Sequence, residues 1–189
     1  MTLLIIADDL SGAADCAIAF AGAGLSTVVT LDAAHDTGAA SVVAIDTDTR
    51  RLSVAQAGER TLTAWQTLRK PGQRLYKKID STLRGNWAAE VAALQPHVGL
   101  AIIAPAFPAT GRTTLNGRVM VNGQPLETTD TWKLEHADRS ADIASMLGDA
   151  GLRVAKLSLE ALRGSSAALL QHITEIAHSE ADALIVDAE

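Results

Sequence analysis

Two adjacent carboxylates, Asp8 and Asp9, stand directly after the first apolar run of the chain and before a Ser11-Gly12 turn. Carboxylates in this position could bind ligand hydroxyls, hold a cation, or take a proton from an attacking alcohol. The alternative is structural, because Asp9 or Ser11 could cap the following helix by accepting backbone N–H groups. Capping accounts for one of these residues and leaves the second carboxylate unexplained.

A second cluster begins where another predicted strand ends, with Lys78 and Asp80, and continues through a hydroxyl-rich turn to Arg84. Side chains alternate along a strand, so Lys78 and Asp80 are expected on the same side. The planar guanidinium of Arg84 suits a carboxylate, and the N-terminus of the helix that follows favours an anion. The alternative is a Lys–Asp pair at the surface together with a serine cap.

A third polar segment, residues 104–114, follows a further apolar run. Two prolines stiffen its backbone, and Thr110, Arg112 and Thr113 offer hydrogen-bond donors. An ordinary loop can have this composition, so its position at the end of a strand is the reason to consider it.

Signatures of nucleotide and metal sites are absent from the sequence. It contains neither a Gly-x-x-x-x-Gly-Lys loop nor a Gly-x-Gly-x-x-Gly fingerprint, so no nucleotide site of the familiar kinds is predicted. The histidines lack metal-type spacing and have no cysteine near them, so no metal site is predicted. They are His35, His97, His136, His172 and His178.

The elements that must position these clusters alternate between short aliphatic strands and helices. Strands are predicted at 3–7, 27–31, 42–45, 75–79, 100–104, 154–157 and 183–186, and helices at 11–24, 54–68, 86–94, 141–148 and 166–179. This alternation predicts an α/β fold with a mostly parallel, Rossmann-like sheet and helices on both faces. Asn122-Gly123 between extended segments predicts a β-hairpin excursion near 114–126. Ligands of open α/β sheets bind at the carboxyl ends of strands, where all three clusters fall.

Composition narrows the classes of partner. A net charge of −6 argues against a broad nucleic-acid surface, although it permits a small anionic ligand. The single cysteine, Cys16, rules out an intrachain disulfide and suggests a reducing cytoplasm. No apolar run approaches membrane-spanning length, and the N-terminus does not resemble a signal peptide. We therefore expect a cytoplasmic protein that binds neither nucleic acid nor membrane.

The C-terminus directly follows a predicted strand. An alternating α/β chain should continue there into a loop and a crossover helix, so we expect that residues 1–189 form one domain of a longer protein. A sheet edge left exposed by such an ending could promote a homodimer.

Together the three clusters resemble the four-carbon acid sugar kinases, in their N-terminal sugar-binding domain. The resembling segments are Ile6–Asp15, Lys77–Asn86 and Ala104–Arg112, extended by Asn116–Arg118 and Val121–Gly123. The resemblance implies ATP-dependent phosphorylation of the terminal hydroxyl of a threonate, erythronate or 3-oxo-tetronate type of acid. It also implies that this half binds the acid, whereas a C-terminal half, absent here, mainly binds ATP and Mg²⁺.

The resemblance also implies roles for single residues. Asp8 and Asp9 would face substrate hydroxyls, with Asp9 preferred as the catalytic base. The implied substrate-binding residues are Asp8, Asp9, Ser11, Lys78, Asp80, Ser81, Arg84 and Gly85. Residues 128–137 depart from the Ala-Arg-Asp-x-x-x-Pro-like segment of many members, which leaves the particular acid open.

Two rival functions remain at this point. The chain could be a stand-alone domain that binds a small hydroxy acid and regulates without catalysis. It could also be a hydrolase or isomerase that uses Asp8 and Asp9 with a metal, since doubly wound folds support many chemistries.

Overall fold

The computed structural model describes residues 2–136 and 139–189, so Ala137, the last residue of the divergent segment, lies outside the described residues. The chain forms two compact units. The first runs through Asp80 and adds Arg84–Leu94, and the second comprises Ser81–Leu83 and Gln95–Glu189. Within the described residues, no helix is both long and apolar enough to cross a membrane.

The first unit is built on a four-stranded parallel sheet in the order β2-β3-β1-β4. Its strands are β1 (Leu3–Ala7), β2 (Thr27–Thr30), β3 (Val42–Asp46) and β4 (Arg74–Lys78). β1 and β3 are buried along their whole length, which explains the continuous apolar runs 3–7 and 42–45.

Helices cover both faces of this sheet: α1 (Leu10–Gly22), α2 (Val54–Leu68) and α3 (Trp87–Val98). Because side chains alternate along β1, Leu3 and Ile5 pack with α1, whereas Leu4 and Ile6 pack with Trp65 and Leu68 of α2. Ser53 starts α2 with a reciprocal capping box to Gln56. The predicted α/β class with helices on both faces is confirmed.

The second unit has its own parallel sheet in the order β5-β10-β9. The strands are β5 (Ala101–Ile103), β9 (Val154–Leu157) and β10 (Ala183–Val186), and the helices are α4 (Asp130–His136), α5 (Ile143–Asp149), α6 (Leu159–Leu162) and α7 (Ser166–Ala177). The parallel strands therefore fall into two sheets. Leu157, Ile176 and Leu184 form the core on which α7 packs.

The antiparallel excursion lies in the second unit and is larger than one hairpin. β6 (Arg112–Leu115), β7 (Arg118–Val121) and β8 (Gln124–Pro125) form a three-stranded meander. Two turns, Asn116-Gly117 and Asn122-Gly123, join the strands, and all four turn residues have positive φ. Positive φ at both central positions is the geometry of a type I′ turn, which explains the two Asn-Gly pairs. The predicted hairpin is thus confirmed, and Asn116-Gly117, which was singled out from the sequence only as part of the family resemblance, forms a second turn.

Asp187 and Ala188, which follow β10, form a clamp that holds the Asn116-Gly117 turn in place. The buried carboxylate of Asp187 accepts hydrogen bonds from the backbone N–H groups of Asn116 (2.8 Å) and Gly117 (2.9 Å). Ala188 and Thr114 exchange two backbone hydrogen bonds beside it. The polar residues after Val186 therefore hold the meander.

Replacing Asp187 with Asn should weaken this clamp. The substitution turns one acceptor oxygen into an NH₂ donor that faces a backbone N–H, and one unsatisfied buried group costs about 1–3 kcal/mol. We expect a correspondingly lower urea midpoint and faster hydrogen exchange at the Asn116 and Gly117 amides. Asp149→Asn, at an exposed position, is the matched control. Equal midpoints for the two variants would show that the clamp contributes nothing to stability.

Candidate functional site

The carboxyl ends of three neighbouring strands gather polar residues at one edge of the first sheet. In the register of the sheet, Ala7 of β1 lies beside Asp46 of β3 on one side and Lys78 of β4 on the other. Asp8 and Asp9 follow Ala7 directly. The prediction that polar clusters fall at the carboxyl ends of strands is therefore confirmed for Asp8, Asp9 and Lys78, and the register brings these strand ends side by side.

The two carboxylates are joined by a residue that the sequence analysis missed. Arg50 contacts both oxygens of Asp8, Nε to Oδ2 at 2.8 Å and Nη2 to Oδ1 at 3.0 Å, and its Nη1 contacts Asp9 Oδ2 at 2.9 Å. The Asp8 side chain is 2% exposed and that of Asp9 is 32% exposed. Arg50 thus neutralises a buried acid and holds a more accessible one.

A signal for Arg50 was present in the sequence. Asp46-Thr47-Asp48-Thr49-Arg50 follows the apolar run of β3, so it occupies a strand end like the three clusters that were singled out. The same rule, that ligands of open α/β sheets bind at carboxyl ends of strands, would have included it.

Asp9 performs the capping role and makes an ion pair at the same time. Its Oδ1 accepts the Gly12 N–H at 2.9 Å as the N-cap of α1, while its Oδ2 faces Arg50. Of the two proposed caps, the structure therefore selects Asp9, and Ser11 lies exposed in the first turn of the helix. The cap and the ion pair each use a different oxygen of Asp9, and each carboxylate oxygen has a second lone pair that can accept a hydrogen bond from a ligand.

Asp9 and Lys78 both lie beside Gly12. A Cβ atom at this position would lie 2.7 Å from Asp9 Oδ1 and 3.3 Å from Lys78 Cγ, so the Asp9 side chain would have to shift to admit one. Lys78 Nζ donates to the carbonyl of Ile79 at 2.7 Å. Within residues 2–136 and 139–189, no carboxylate lies within ion-pair distance of Lys78. Its positive charge is therefore available to an anionic ligand.

Asp80 pairs with Arg84, whereas the structural alternative weighed from the sequence was a pair of Asp80 with Lys78. Arg84 contacts Asp80 through two parallel bonds, Nε to Oδ2 at 2.8 Å and Nη2 to Oδ1 at 3.1 Å. β4 ends at Lys78, so Asp80 lies in the following turn and strand alternation does not place it. The guanidinium fork that was expected to meet a ligand carboxylate binds a carboxylate of the protein itself.

Gly85 closes the turn against the Asp8–Arg50 pair. Its φ of +80° is one that L side chains rarely adopt, and a Cβ atom would lie 3.0 Å from Asp8 Oδ2 and 3.2 Å from Arg50 Cγ. Glycine is therefore required here both by the backbone and by the space that the ion pair occupies.

Ser81 belongs to the second unit, where Arg112 Nη1 donates to its Oγ at 2.7 Å. The hydroxyl of Thr110, another predicted donor, bonds within its own loop to the carbonyl of Phe107.

Electrostatics keep Arg50 charged. Burial alone would lower the pKa of Arg50, but the hydrogen bond to Asp8 and the charges of Asp8, Asp9 and Asp80 raise it well above its usual value. Burial also raises the pKa of Asp46, against a backbone hydrogen bond from Asp48, and the charges of Asp48, Asp9 and Asp8 raise it further. The edge of the sheet is thus acidic, with Arg50 fixing two of its carboxylates.

Across the two described stretches, no three or more His, Cys, Asp or Glu side chains are grouped so that they could hold a metal ion.

Comparisons with known proteins show which family this chain matches. The model of a family described as a sugar-binding N-terminal domain matches residues 3–189. A D-threonate kinase of Cupriavidus necator is 54% identical over 100% of this chain and 46% of its own length. A D-erythronate kinase of Heliobacterium modesticaldum is 37% identical over 68% of this chain and 31% of its own length. The chain thus spans less than half the length of these relatives.

A similar fold occurs in a solved structure from Bordetella bronchiseptica, described as a domain-swapped dimer with bound citrate. It is 32% identical with a TM-score of 0.84, covering 100% of this chain and 47% of that one.

Proposed function

We propose that this chain, which belongs to the family of sugar-binding N-terminal domains, binds the four-carbon sugar acid that an ATP-dependent kinase phosphorylates. Relatives that match it are D-threonate, D-erythronate and 3-oxo-tetronate kinases. The substrate would be an acid of this type, and the phosphoryl group would go to its terminal hydroxyl.

One observation carries the proposal: an acidic pair meets a lysine that has no acidic partner among the described residues, at one sheet edge where Asp9 and Lys78 both lie beside Gly12. A sugar acid combines hydroxyl donors with a carboxylate. Asp9 can accept hydrogen bonds from hydroxyls, and Lys78 can bind the carboxylate through a charge-assisted hydrogen bond. The citrate bound to the Bordetella neighbour is likewise a hydroxylated carboxylate, which supports this class of ligand.

Asp9 is the catalytic base in this proposal. It is the more exposed of the two carboxylates, and the Gly12 N–H and Arg50 fix the orientations of its oxygens. A carboxylate held in this way can accept the proton of the terminal hydroxyl as that oxygen attacks phosphorus. Phosphoryl transfer depends mainly on positioning and charge stabilisation, so a fixed base and a bound carboxylate are the main contributions needed from this half.

The other residues have supporting roles. Asp8 binds Arg50 and thereby fixes Asp9. Asp80 and Arg84 bind each other, and the pair would also form hydrogen bonds with substrate hydroxyls. Ser11 and Gly85 would line the site. The role of Ser81 in binding stays a prediction.

ATP supplies the phosphoryl group, and the proposal assigns ATP and Mg²⁺ to the portion of the kinases that this chain does not match. A C-terminal ATP-binding domain is thus the expected partner of residues 1–189. A cytoplasmic location and a homodimer, as the Bordetella neighbour forms a dimer, complete the proposal.

Calorimetry with threonate, erythronate, 3-oxo-tetronate and the neutral polyol threitol tests the proposal. Lys78→Met should weaken binding of the acid by roughly 10- to 100-fold, because a hydrogen bond to a charged group is worth about 1.5–3 kcal/mol. Binding of threitol should change little. Lys70→Met, at an exposed lysine, is the control.

No binding by any acid would argue against this half as the binding site. The same titrations on the complete gene product with an ATP analogue would then show whether the other half completes the site. Equal loss of acid and polyol binding in Lys78→Met would contradict the role given to Lys78.

A further inference from the structure

A buried ion pair lies within the first unit, and one of its two members, Lys77, directly precedes the site residue Lys78. Glu90 on α3 is 0% exposed, the Lys77 side chain on β4 is 8% exposed, and Lys77 Nζ lies 2.7 Å from Glu90 Oε2. Neither residue is among those predicted to touch a ligand.

The second oxygen of Glu90 reaches the loop that carries Arg50. Thr49, which is fully buried, donates its hydroxyl to Glu90 Oε1, and its backbone N–H donates to the carbonyl of Asp8 at 3.3 Å. Arg50 is the next residue along the chain. The side-chain amide of Asn86 fixes the same loop by donating to the carbonyls of Thr49 and Leu52 at 3.1 and 2.9 Å.

Lys77 connects the same carboxylate to the end of β4. Besides its ion pair with Glu90, Lys77 Nζ donates to the backbone carbonyl of Lys78 at 3.1 Å. One buried carboxylate thus links the residue before Arg50 to the residue before Lys78. These two cations are the ones that our proposal assigns to the carboxylate pair and to the substrate.

Stability alone does not account for this arrangement. Desolvating two charges offsets most of their attraction, and replacing a buried ion pair with apolar residues of similar size is often neutral or stabilising. An apolar group of equal volume would pack α3 against β4 as well, but it would not fix the loop before Arg50 by directional bonds. The contribution of the ion pair is therefore to fix the positions of the groups that it joins.

We propose that Glu90 is a positioning residue that, through Thr49 and Lys77, sets the separation between Arg50 and Lys78. This inference rests on the proposed function, because that separation matters for matching the hydroxyls and the carboxylate of one sugar acid. Glu90 itself does not touch the substrate.

The test compares two variants. Lys77→Met leaves Glu90 charged and buried, and is expected to lower the urea midpoint. The triple variant Thr49→Val/Lys77→Met/Glu90→Met makes the whole network apolar and is expected to recover a midpoint near that of the parent chain. Its affinity for the sugar acid should nevertheless fall at least tenfold, with a smaller loss for threitol.

A ligand-free readout separates this inference from the proposed function. The Arg50 Nε–H, bonded to Asp8, should give an NMR signal protected from exchange in the parent chain, and the triple variant should shift it and shorten its lifetime. The Arg153 Nε–H, paired with Asp182 in the second unit, is the internal control and should not change.

An unchanged Arg50 signal in the stable triple variant would overturn the positioning role whatever the ligands do. So would a triple variant that binds the acid as the parent does. Failure of the parent to bind any acid would instead contradict the proposed function, and the Arg50 signal would still decide the role of Glu90.

Discussion

Arg50→Met is expected to destabilise the chain by about 3–5 kcal/mol, the usual cost of removing one partner of a buried ion pair. Asp8 would lose both of its contacts to the guanidinium while its side chain stays 2% exposed, and Asp9 would lose the partner of its Oδ2. Arg51→Met is a closely matched control, because Arg51 is the adjacent residue and is exposed. A surface substitution of this kind typically stays within about 0.5 kcal/mol.

Urea unfolding followed by far-ultraviolet circular dichroism measures both variants. The double variant Asp8→Asn/Arg50→Met tests the cause, since it removes the buried charge that Arg50→Met leaves behind. We expect the double variant to recover part of the lost stability. If Arg50→Met and Arg51→Met unfold at the same urea concentration, the Asp8–Arg50 pair does not stabilise the first unit. If the double variant recovers nothing, lost packing and not the unpaired carboxylate is the cause.

Local patterns in the sequence were sufficient to predict the elements around this site. The apolar runs of β1 and β3 and the caps before α1 and α2 are local signals, and the structure has an element at each of them. Asp8, Asp9 and Lys78 could be predicted together because one general rule, that parallel strands end at a common edge, applies to any such sheet.

Contacts between residues far apart in the sequence could not be predicted from such local patterns. Arg50 and Asp8 are 42 positions apart, and only the β1–β3 register brings them together. Likewise, the division of the parallel strands into two sheets depends on which strand pairs with which. The sequence of an aliphatic strand does not indicate its pairing partner. The Thr49–Glu90 contact, 41 positions apart, was hidden for the same reason.

The Asp80–Arg84 pair is a different kind of miss. These residues are four positions apart, and the pair forms within a turn that leads into a helix. Opposite charges at this spacing commonly pair in helical backbone, so the contact was open to prediction. A guanidinium suits a ligand carboxylate and a protein carboxylate equally well, so the residue type alone does not distinguish the two partners.

Gly12→Ala is expected to separate ligand binding from stability. The new Cβ would lie 2.7 Å from Asp9 Oδ1, so the Asp9 side chain must turn away and give up its cap. Losing the cap costs about 1 kcal/mol and losing the partly exposed Asp9–Arg50 pair costs at most about 1 kcal/mol, whereas alanine in place of glycine in a helix contributes about 1 kcal/mol. The free energy of unfolding should therefore fall by no more than about 1 kcal/mol. Asp9 would nevertheless leave the position beside Arg50 that the proposed base requires.

The same calorimetric panel measures this effect, and affinity for the sugar acid should fall at least tenfold. Gly22→Ala is the matched control: Gly22 lies in the same helix, and a Cβ there would meet no atom within 4 Å. That control should bind the acid as the parent does. A Gly12→Ala chain that binds the acid normally would show that the orientation of Asp9 does not matter for binding. Because a Cβ atom at Gly22 would contact nothing, a loss confined to Gly12→Ala would locate the substrate near the neighbours of Gly12, at the N-terminus of α1.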